Sequence, residues 1–207
     1  MKISYAITVC NEVQEFKRLL DFLTAHIQEE DEIVVLVDGS KGKDREILEL
    51  TKDVPQVNNI AVGQFEGDFA NWKNILNSYC TGEYIFQLDA DEVPVEGLTK
   101  YLPTILASNS EVDLFFIPRK NRVEGLTDED IRKWGWRVQN GLVNWPDYQG
   151  RIYKNLPQIK WQGKVHEKIV GIRTYGHLPD MLYLEHDKTI TKQREQNALY
   201  SQIQNEK

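Results

Sequence analysis

Blocks of apolar residues alternate with amphipathic stretches along the first half of the chain and predict strands and helices in turn. Residues 3–9 and 33–37 are short apolar runs, typical of strands buried on both faces of a parallel sheet. Other apolar residues recur at helical spacing, most clearly Phe69, Trp72, Ile75, Leu76 and Tyr79. The alternation of strands and helices continues to a strand at residues 84–88. It predicts a doubly wound, mostly parallel α/β sheet with right-handed crossovers.

The second half of the chain has a less regular pattern. Apolar runs at residues 114–117 and 150–153 predict two further strands, and the acidic residues 124–130 predict an exposed loop or a short helix. Residues 188–204 predict a C-terminal helix that is polar nearly all round, with Ile190, Leu199 and Ile203 as its few apolar anchors. Such a helix is expected to be a lid or a contact between subunits.

Composition favours a single enzyme-sized domain. With 207 residues and 41% hydrophobic content the chain can bury a substantial core, and its net charge of −7 argues against a nucleic-acid or anionic-membrane binder. We expect a cytoplasmic protein, because no apolar run approaches the roughly 18 residues of a membrane span and the first residues lead directly into a strand. Cys10 and Cys80 lack metal or disulfide spacing and are predicted to fill the core.

Three carboxylates follow the strand at residues 84–88. Asp89, Asp91 and Glu92 stand at its end, and Pro94 comes just beyond. Carboxylates at the end of a buried strand are costly unless a cation compensates them. Mg²⁺ or Mn²⁺ is usually held by one or two carboxylates together with substrate phosphates, so the motif predicts a metal–diphosphate site. A solvated acidic turn is the alternative.

Polar residues also follow the other predicted strands. Thr8, Asn11 and Glu12 follow the first strand, and Asp38 follows the second within a Gly-Ser turn. Ligands of doubly wound sheets bind beyond the carboxyl ends of the strands, so we expect these side chains to converge with the acidic cluster. A purely structural turn is the alternative for Asp38. The first strand is followed by neither a GxGxxG nor a P-loop motif, which excludes the common dinucleotide and P-loop sites.

Four motifs, in this order and spacing, resemble the nucleotide-sugar half of family-2 glycosyltransferases with a GT-A fold. They are TVCNE at 8–12, VDGS at 37–40, DFANWKN at 68–74 and LDADE at 88–92. The resemblance implies that Asp38 contacts the nucleotide base, that Asp89 and Asp91 reach the ribose and the metal-bound diphosphate, and that Lys73 and Asn74 border the nucleotide pocket. Many members carry a further Asp where this chain has Val37.

A later pattern resembles a family-2 subgroup related to lipopolysaccharide-core sugar transferases. It consists of Trp161 to Glu167, in the form Trp-x-Gly-x-Val-His-Glu, followed by His186. The resemblance implies that His186 joins Asp91 as a metal ligand. His166 and Trp161 are expected in the site without an assigned role, as is Glu92. Strand alternation would place His166 and Glu167 on opposite faces unless a turn intervenes.

The resulting prediction is a metal-dependent glycosyltransferase that uses a sugar nucleotide, with UDP-sugars favoured, and Mn²⁺ or Mg²⁺. The family implies inversion by direct displacement, which requires a base; Glu167 is the first candidate and Asp147 the second. We expect residues 1–95 to bind the nucleotide sugar, residues 96–187 to form the acceptor side and residues 188–207 to form the C-terminal helix. The acceptor is a saccharide, a lipid-linked glycan, a protein or a modified nucleobase. A homo-oligomer through the C-terminal helix is a further possibility.

Two other functions compete with this prediction. A nucleotidyltransferase shares an α/β sheet and metal-binding carboxylates but is expected to carry a Gly-rich loop with a basic residue after the first strand, which is missing here. A catalytically silent sugar-binding module would explain a cluster of aromatic residues but not the strand-end carboxylates. That cluster is predicted to be either a sugar-stacking platform or core packing, and it comprises Trp134, Trp136, Trp145 and Tyr148.

Overall fold

A computed structural model describes residues 1–205. The strands are β1 Ile3–Val9, β2 Glu32–Asp38, β3 Val57–Gly63, β4 Tyr84–Asp89, β5 Glu92–Pro94, β6 Leu114–Glu124, β7 Val138–Gln139, β8 Leu142–Lys154, β9 Lys160–Gln162, β10 Lys168–Val170, β11 Tyr175–His177 and β12 Leu184–Thr189. The helices are α1 Val13–His26, α2 Asp44–Thr51, α3 Phe69–Asn77, α4 Glu96–Ser108, α5 Asp128–Trp134 and α6 Ile190–Asn205. Residues 206–207 of the predicted C-terminal helix lie outside the described residues.

One large mixed sheet organises the chain. Its order is β3-β2-β1-β4-β8-β6-β12-β5, with β11 paired to β6 and β7 to β8. Neighbours from β3 to β4 are parallel, whereas β8 is antiparallel to both β4 and β6. Strands β6 and β12 are parallel, and β5 at the far edge is antiparallel to β12. The predicted α/β fold with a mostly parallel sheet is confirmed.

Helices cover both faces of the sheet, which explains why its central strands β1, β2 and β4 are almost entirely buried. Every residue of β2 is buried. One core packs α1 and α4 against the sheet through Phe16, Leu19 and Leu98, among others. The core on the opposite face is built around Trp72 of α3 and Trp161 of β9. The sheet is therefore fixed from both sides, and its strand ends are held in register.

The second half departs from the predicted element boundaries. The strands expected at residues 114–117 and 150–153 are the most apolar parts of β6 and β8, which are much longer. Both continue through polar residues because those side chains face a buried charge cluster described below. Residues 124–130 contribute the start of α5, whose capping box joins Thr127 and Asp130. Within residues 1–205, no helix is long and apolar enough to cross a membrane.

The C-terminal helix α6 packs on the rest of the chain through residues of both its halves. Ile203 is buried, as expected, but Leu199 is 40% exposed and does not serve as the predicted anchor. Tyr200 packs edge-on against Phe69, so an aromatic residue anchors the helix instead. Arg194 Nη2 donates to both carboxylate oxygens of Asp130 of α5, at 2.9 and 3.0 Å. The helix therefore lies against its own domain.

Candidate active site

The acidic motif lies at the carboxyl end of β4, in the middle of the sheet. Thr8 at the end of β1 pairs in register with Asp89 and donates to its carboxylate at 3.3 Å. The chain then turns directly into β5, where Glu92 pairs with His186 of β12. Strand ends from the first and second halves of the chain therefore meet at this edge.

Two arginines compensate the negative charge of these carboxylates. Buried Arg151 of β8 donates to Asp89 Oδ2 at 2.7 Å and to Glu92 Oε1 at 2.5 Å. Arg119 of β6 bridges Glu92 and Asp147, with contacts of 3.0 and 2.8 Å. Arg151 and Glu92 are almost fully buried, and charges so placed are tolerated only when they are paired and hydrogen-bonded, as they are here. The arginines therefore fix the acidic motif in place.

A buried lysine of α3 lies beside the same carboxylates. Lys73 Nζ lies 2.6 Å from Glu167 Oε1 and 4.0 Å from Asp89 Oδ1, and it stands 4.4 Å from the ring centroid of Trp161. Burial would raise the pKa of Asp89, but Arg151 and Lys73 hold it well below its usual range. Asp89 is therefore ionised at neutral pH.

Asp91 and His186, the predicted metal ligands, lie side by side. Asp91 Oδ2 is 3.5 Å from His186 Nε2, close enough for both atoms to bind one ion, because such ligand bonds are about 2.1 Å long. Over residues 1–205, no group of three or more His, Cys, Asp and Glu side chains could hold a metal ion. An ion at Asp91 and His186 would therefore take its remaining ligands from substrate or water.

Hydrogen bonds fix the tautomer of the His186 ring. Asn121 donates through Nδ2 to Asp147 Oδ2 at 2.8 Å, which leaves its Oδ1 2.6 Å from His186 Nδ1. An amide oxygen can only accept, so Nδ1 carries the proton and the lone pair of Nε2 faces Asp91. Burial lowers the pKa of His186 and favours this neutral form. A neutral imidazole held by such a partner is suited to bind a metal ion.

A second cation faces Asp91. Lys188 Nζ lies 3.5 Å from Asp91 Oδ2, the oxygen that is also nearest to His186. Burial would raise the pKa of Asp91, but the charge of Lys188 lowers it. Asp91 is therefore an ionised carboxylate whose nearest partners are an imidazole and an ammonium.

The predicted base-binding residue Asp38 is held by its own chain. Its carboxylate accepts from the backbone and hydroxyl of Ser40, both at 2.9 Å, from the backbone of Phe65 at 3.2 Å and from the Cys10 thiol at 3.3 Å. Burial and the neighbouring Asp38 raise the pKa of Cys10 to about 12, so the thiol is a neutral donor. Asp38 thus has a clear structural role in the turn after β2.

The remaining predicted donor residues surround the same edge. The Glu12 carboxylate accepts from the backbone of Cys10 and of Asn11, both at 3.0 Å, while Asn11 itself is exposed. Asn74 uses both ends of its amide on the Trp161 backbone, at 2.9 Å each, and so joins α3 to β9. These contacts make Glu12 and Asn74 supports for the loops that border the pocket.

The two candidate bases differ in their surroundings. Glu167 and His166 lie in a turn between β9 and β10, where His166 has φ +54° and is exposed; the strand alternation considered for this pair does not apply. Glu167 is half-buried against Lys73. Asp147 accepts from Arg119, Asn121 and Gln149. Burial would raise the pKa of Asp147, but these donors lower it.

The four aromatic residues of the predicted platform are half-buried, and none belongs to either hydrophobic core. Trp134 and Trp136 contact each other with ring centroids 4.6 Å apart, and Trp145 packs edge-on against Tyr183. Tyr148 donates to Asp180 at 2.8 Å. The core-packing alternative is therefore wrong for these residues, while a sugar-stacking platform stays a prediction.

Four site residues escaped the sequence analysis as functional candidates. Arg119, Asn121 and Arg151 lie on the antiparallel strands β6 and β8, and Lys188 lies on β12. One signal was available, since Arg151 stands in the apolar run at residues 150–153 and a buried guanidinium requires an acidic partner. Their partners come from distant parts of the sequence, so periodicity does not reveal them.

The family model for "Glycosyl transferase family 2" matches residues 4–175, which is most of the chain. The chain belongs to this family. The predicted family and its class of enzyme, the glycosyltransferases, are thereby confirmed. No curated protein matches the chain.

Solved structures of S. aureus TarS 1-349 have a similar fold. The complex with UDP has a TM-score of 0.64 and 17% identity, and covers 98% of this chain and 65% of that chain. The complex with UDP-GlcNAc has a TM-score of 0.60 and 19% identity, and covers 91% of this chain and 59% of that chain. A further TarS 1-349 structure has a TM-score of 0.61 and 18% identity, and covers 90% of this chain and 60% of that chain. The chain thus spans about 60% of these TarS chains, and the similarity supports the GT-A fold.

Proposed function

We propose that this chain is a metal-dependent glycosyltransferase domain that moves a sugar from a UDP-sugar to an acceptor hydroxyl. The observation that carries the proposal is the 3.5 Å pairing of Asp91 with neutral His186 beside Asp89, at the sheet edge where ligands of this fold bind. The similarity to TarS, which binds UDP and UDP-GlcNAc, supports a uridine nucleotide as the donor.

Asp91 and His186 would hold Mn²⁺ or Mg²⁺. A divalent ion there supplies charge that stabilises the departing diphosphate. A nitrogen ligand beside a carboxylate favours Mn²⁺, since imidazole suits transition metals better than alkaline-earth ions. Asn121 supports the ring of His186, and the arginines hold the neighbouring carboxylates, so the protein offers a preorganised half-site that a donor's phosphates complete.

The donor nucleotide is proposed to bind along the ends of β1, β2 and β4. Asp38 would contact the base and Asp89 the ribose, while Thr8, Asn11 and Glu12 line the edge. Lys73 and Asn74 border the pocket from α3. Support comes from the contacts of Thr8 and Lys73 with Asp89, which bring three of these elements to one place.

The reaction is proposed to be an in-line displacement that inverts the anomeric carbon. An acceptor base must remove the hydroxyl proton as the bond to the diphosphate breaks. Glu167 is the first candidate and Asp147 the second; the donors around Asp147 lower its pKa and hence its basicity. Asp147 instead links Arg119 to Asn121 and acts as a positioning residue for His186.

Further parts of the proposal concern context. Residues 1–95 would bind the donor. Residues 96–187 would bind the acceptor, with the aromatic residues around Trp145. The site would be supported by Trp161, His166 and Glu92. We also propose membership of the subgroup related to lipopolysaccharide-core sugar transferases, a cytoplasmic location and self-association through α6. The acceptor class remains a saccharide, lipid-linked glycan, protein or modified nucleobase.

Product analysis with a panel of sugar nucleotides tests the function. With Mn²⁺ present, UDP-sugars should release UDP, and a metal chelator should suppress the release. Pyrophosphate as the product would identify a nucleotidyltransferase, and UDP binding without any product would indicate a silent sugar-binding module.

The same assay separates the two candidate bases. Glu167→Gln should bind UDP normally but lower turnover by roughly 10²- to 10⁴-fold, as expected for loss of an acceptor base. Near-normal turnover of Glu167→Gln together with an inactive Asp147→Asn that still binds Mn²⁺ would assign the role to Asp147.

A further inference from the structure

Strand alternation places Lys188 on the metal side of β12. Successive side chains of a strand point to opposite faces, so His186 and Lys188 share one face and Glu185 and Asp187 share the other. The contacts agree, since His186 Nε2 and Lys188 Nζ both lie 3.5 Å from Asp91 Oδ2. Glu185 and Asp187 both pair with Arg122 instead. Lys188 is therefore directed at the same atom as the metal ligand.

The ammonium of Lys188 is held in place but not saturated. Its side chain is only 10% exposed, and Nζ donates to Gln196 of α6 at 3.0 Å. An ammonium has three donors, and 3.5 Å to Asp91 exceeds the 2.7–3.2 Å of a normal hydrogen bond. A buried lysine that is fixed by a neutral amide and stands beyond bonding distance of its carboxylate can accept a further anionic partner.

We propose that Lys188 is a diphosphate-binding residue of the donor site and that it shares Asp91 with the metal ion. Without the ion, its charge compensates Asp91; with donor bound, its free donors contact the phosphates. The proposal rests on the proposed function, because it takes a nucleoside diphosphate as the ligand. It deepens that function by giving the donor site a cation of its own, beside the metal.

Two consequences of opposite direction follow from the position of Lys188. Loss of its charge should weaken UDP binding in the absence of metal, because the phosphates lose a charged donor. The same loss should strengthen the binding of Mn²⁺ alone, because two positive charges that share one carboxylate repel each other. A residue that only supports the fold would weaken both.

The test compares Lys188→Gln with Lys192→Gln, which removes the same charge from the start of α6, where Lys192 pairs with Glu15. UDP binding is measured by calorimetry in a chelator, and Mn²⁺ binding without nucleotide by the electron paramagnetic resonance of free Mn²⁺. Lys188→Gln should bind UDP roughly 10-fold more weakly and Mn²⁺ roughly 3- to 10-fold more tightly. Lys192→Gln should match the wild type in both.

Other outcomes overturn the inference. If Lys188→Gln equals Lys192→Gln in both titrations, or weakens both ligands, Lys188 has no such role, while UDP binding by the wild type leaves the proposed function standing. A wild type that binds no UDP with or without Mn²⁺ would overturn both. Should Lys188→Gln not fold, Lys188→Met removes the charge at similar volume, and Lys188→Arg should retain the metal-free UDP binding.

Discussion

Asp38 and Asp91 follow two apolar strands of the same sheet, but their carboxylates have opposite surroundings. Asp38 receives hydrogen bonds from neutral groups of its own chain, the nearest two from Ser40. Asp91 is approached by His186 and Lys188, which both stay 3.5 Å away. Equal positions in the fold therefore do not imply equal chemistry.

The difference separates a carboxylate that completes a turn from one that is available to a ligand. Neutral donors close to Asp38 satisfy its oxygens without help from outside. The partners of Asp91 lie beyond normal hydrogen-bond length. A divalent ion, alone or bound to a phosphate, can therefore bind this carboxylate without breaking a strong hydrogen bond. Each prediction below tests one side of this comparison.

The largest effect is expected from Asp91→Asn. The variant loses a proposed metal ligand, so turnover should fall by more than the roughly 10- to 100-fold that residues supporting a metal site typically cost. The gain in UDP affinity on adding Mn²⁺ should disappear as well. Calorimetry with UDP, with and without Mn²⁺, measures this gain. Retention of the gain would move the metal away from Asp91.

Arg151→Leu should have the largest effect on stability. Fully buried Glu92 would lose its nearer guanidinium and half-buried Asp89 its closest cation, and removal of one partner of a buried pair typically costs about 3–5 kcal/mol. Chemical denaturation gives the free energy of unfolding. Arg122→Leu is the matched control, because that arginine is 43% exposed and such surface pairs contribute about 0–1 kcal/mol. Equal losses would refute the buried network.

A smaller effect is expected for Asn121→Leu. The ring of His186 loses the partner that fixes its tautomer, which typically lowers metal affinity by about 10- to 100-fold. UDP binding in a chelator should stay unchanged. Gln149→Leu is the control, since Gln149 also donates to Asp147 but does not touch His186. If both variants lose the same metal affinity, Asp147 rather than the ring orientation is responsible.

The smallest effect is expected for Asp38→Ala. Donors of Ser40 and Phe65 lose a buried acceptor, so the free energy of unfolding should fall by about 1–3 kcal/mol. If Asp38 also contacts the base, UDP affinity measured by calorimetry falls too. Asp38→Asn retains an acceptor oxygen for the backbone donors and should lose less stability. Normal UDP affinity in both variants would show that Asp38 stabilises the turn and does not contact the base.

The first half of the chain was predictable because its signals are local. Strand β1 lies where its apolar run predicts, and the motifs that end β1, β2 and β4 lie at one edge because parallel strands bring their carboxyl ends together. The second half was less predictable, since β6 and β8 carry charged residues that break the apolar pattern. Those residues belong to the site.

The sequence by itself determined the sheet, the acidic motif and the family, because strand periodicity and motif order depend on neighbours along the chain. Only the tertiary structure decided how the charges pair. Arg151 meets Asp89 and Lys188 meets Asp91 because β8 is antiparallel to β4 and β12 lies between β6 and β5. Buried charges are stabilised by partners that are near in space, whatever their separation in sequence, and strand pairing sets that proximity.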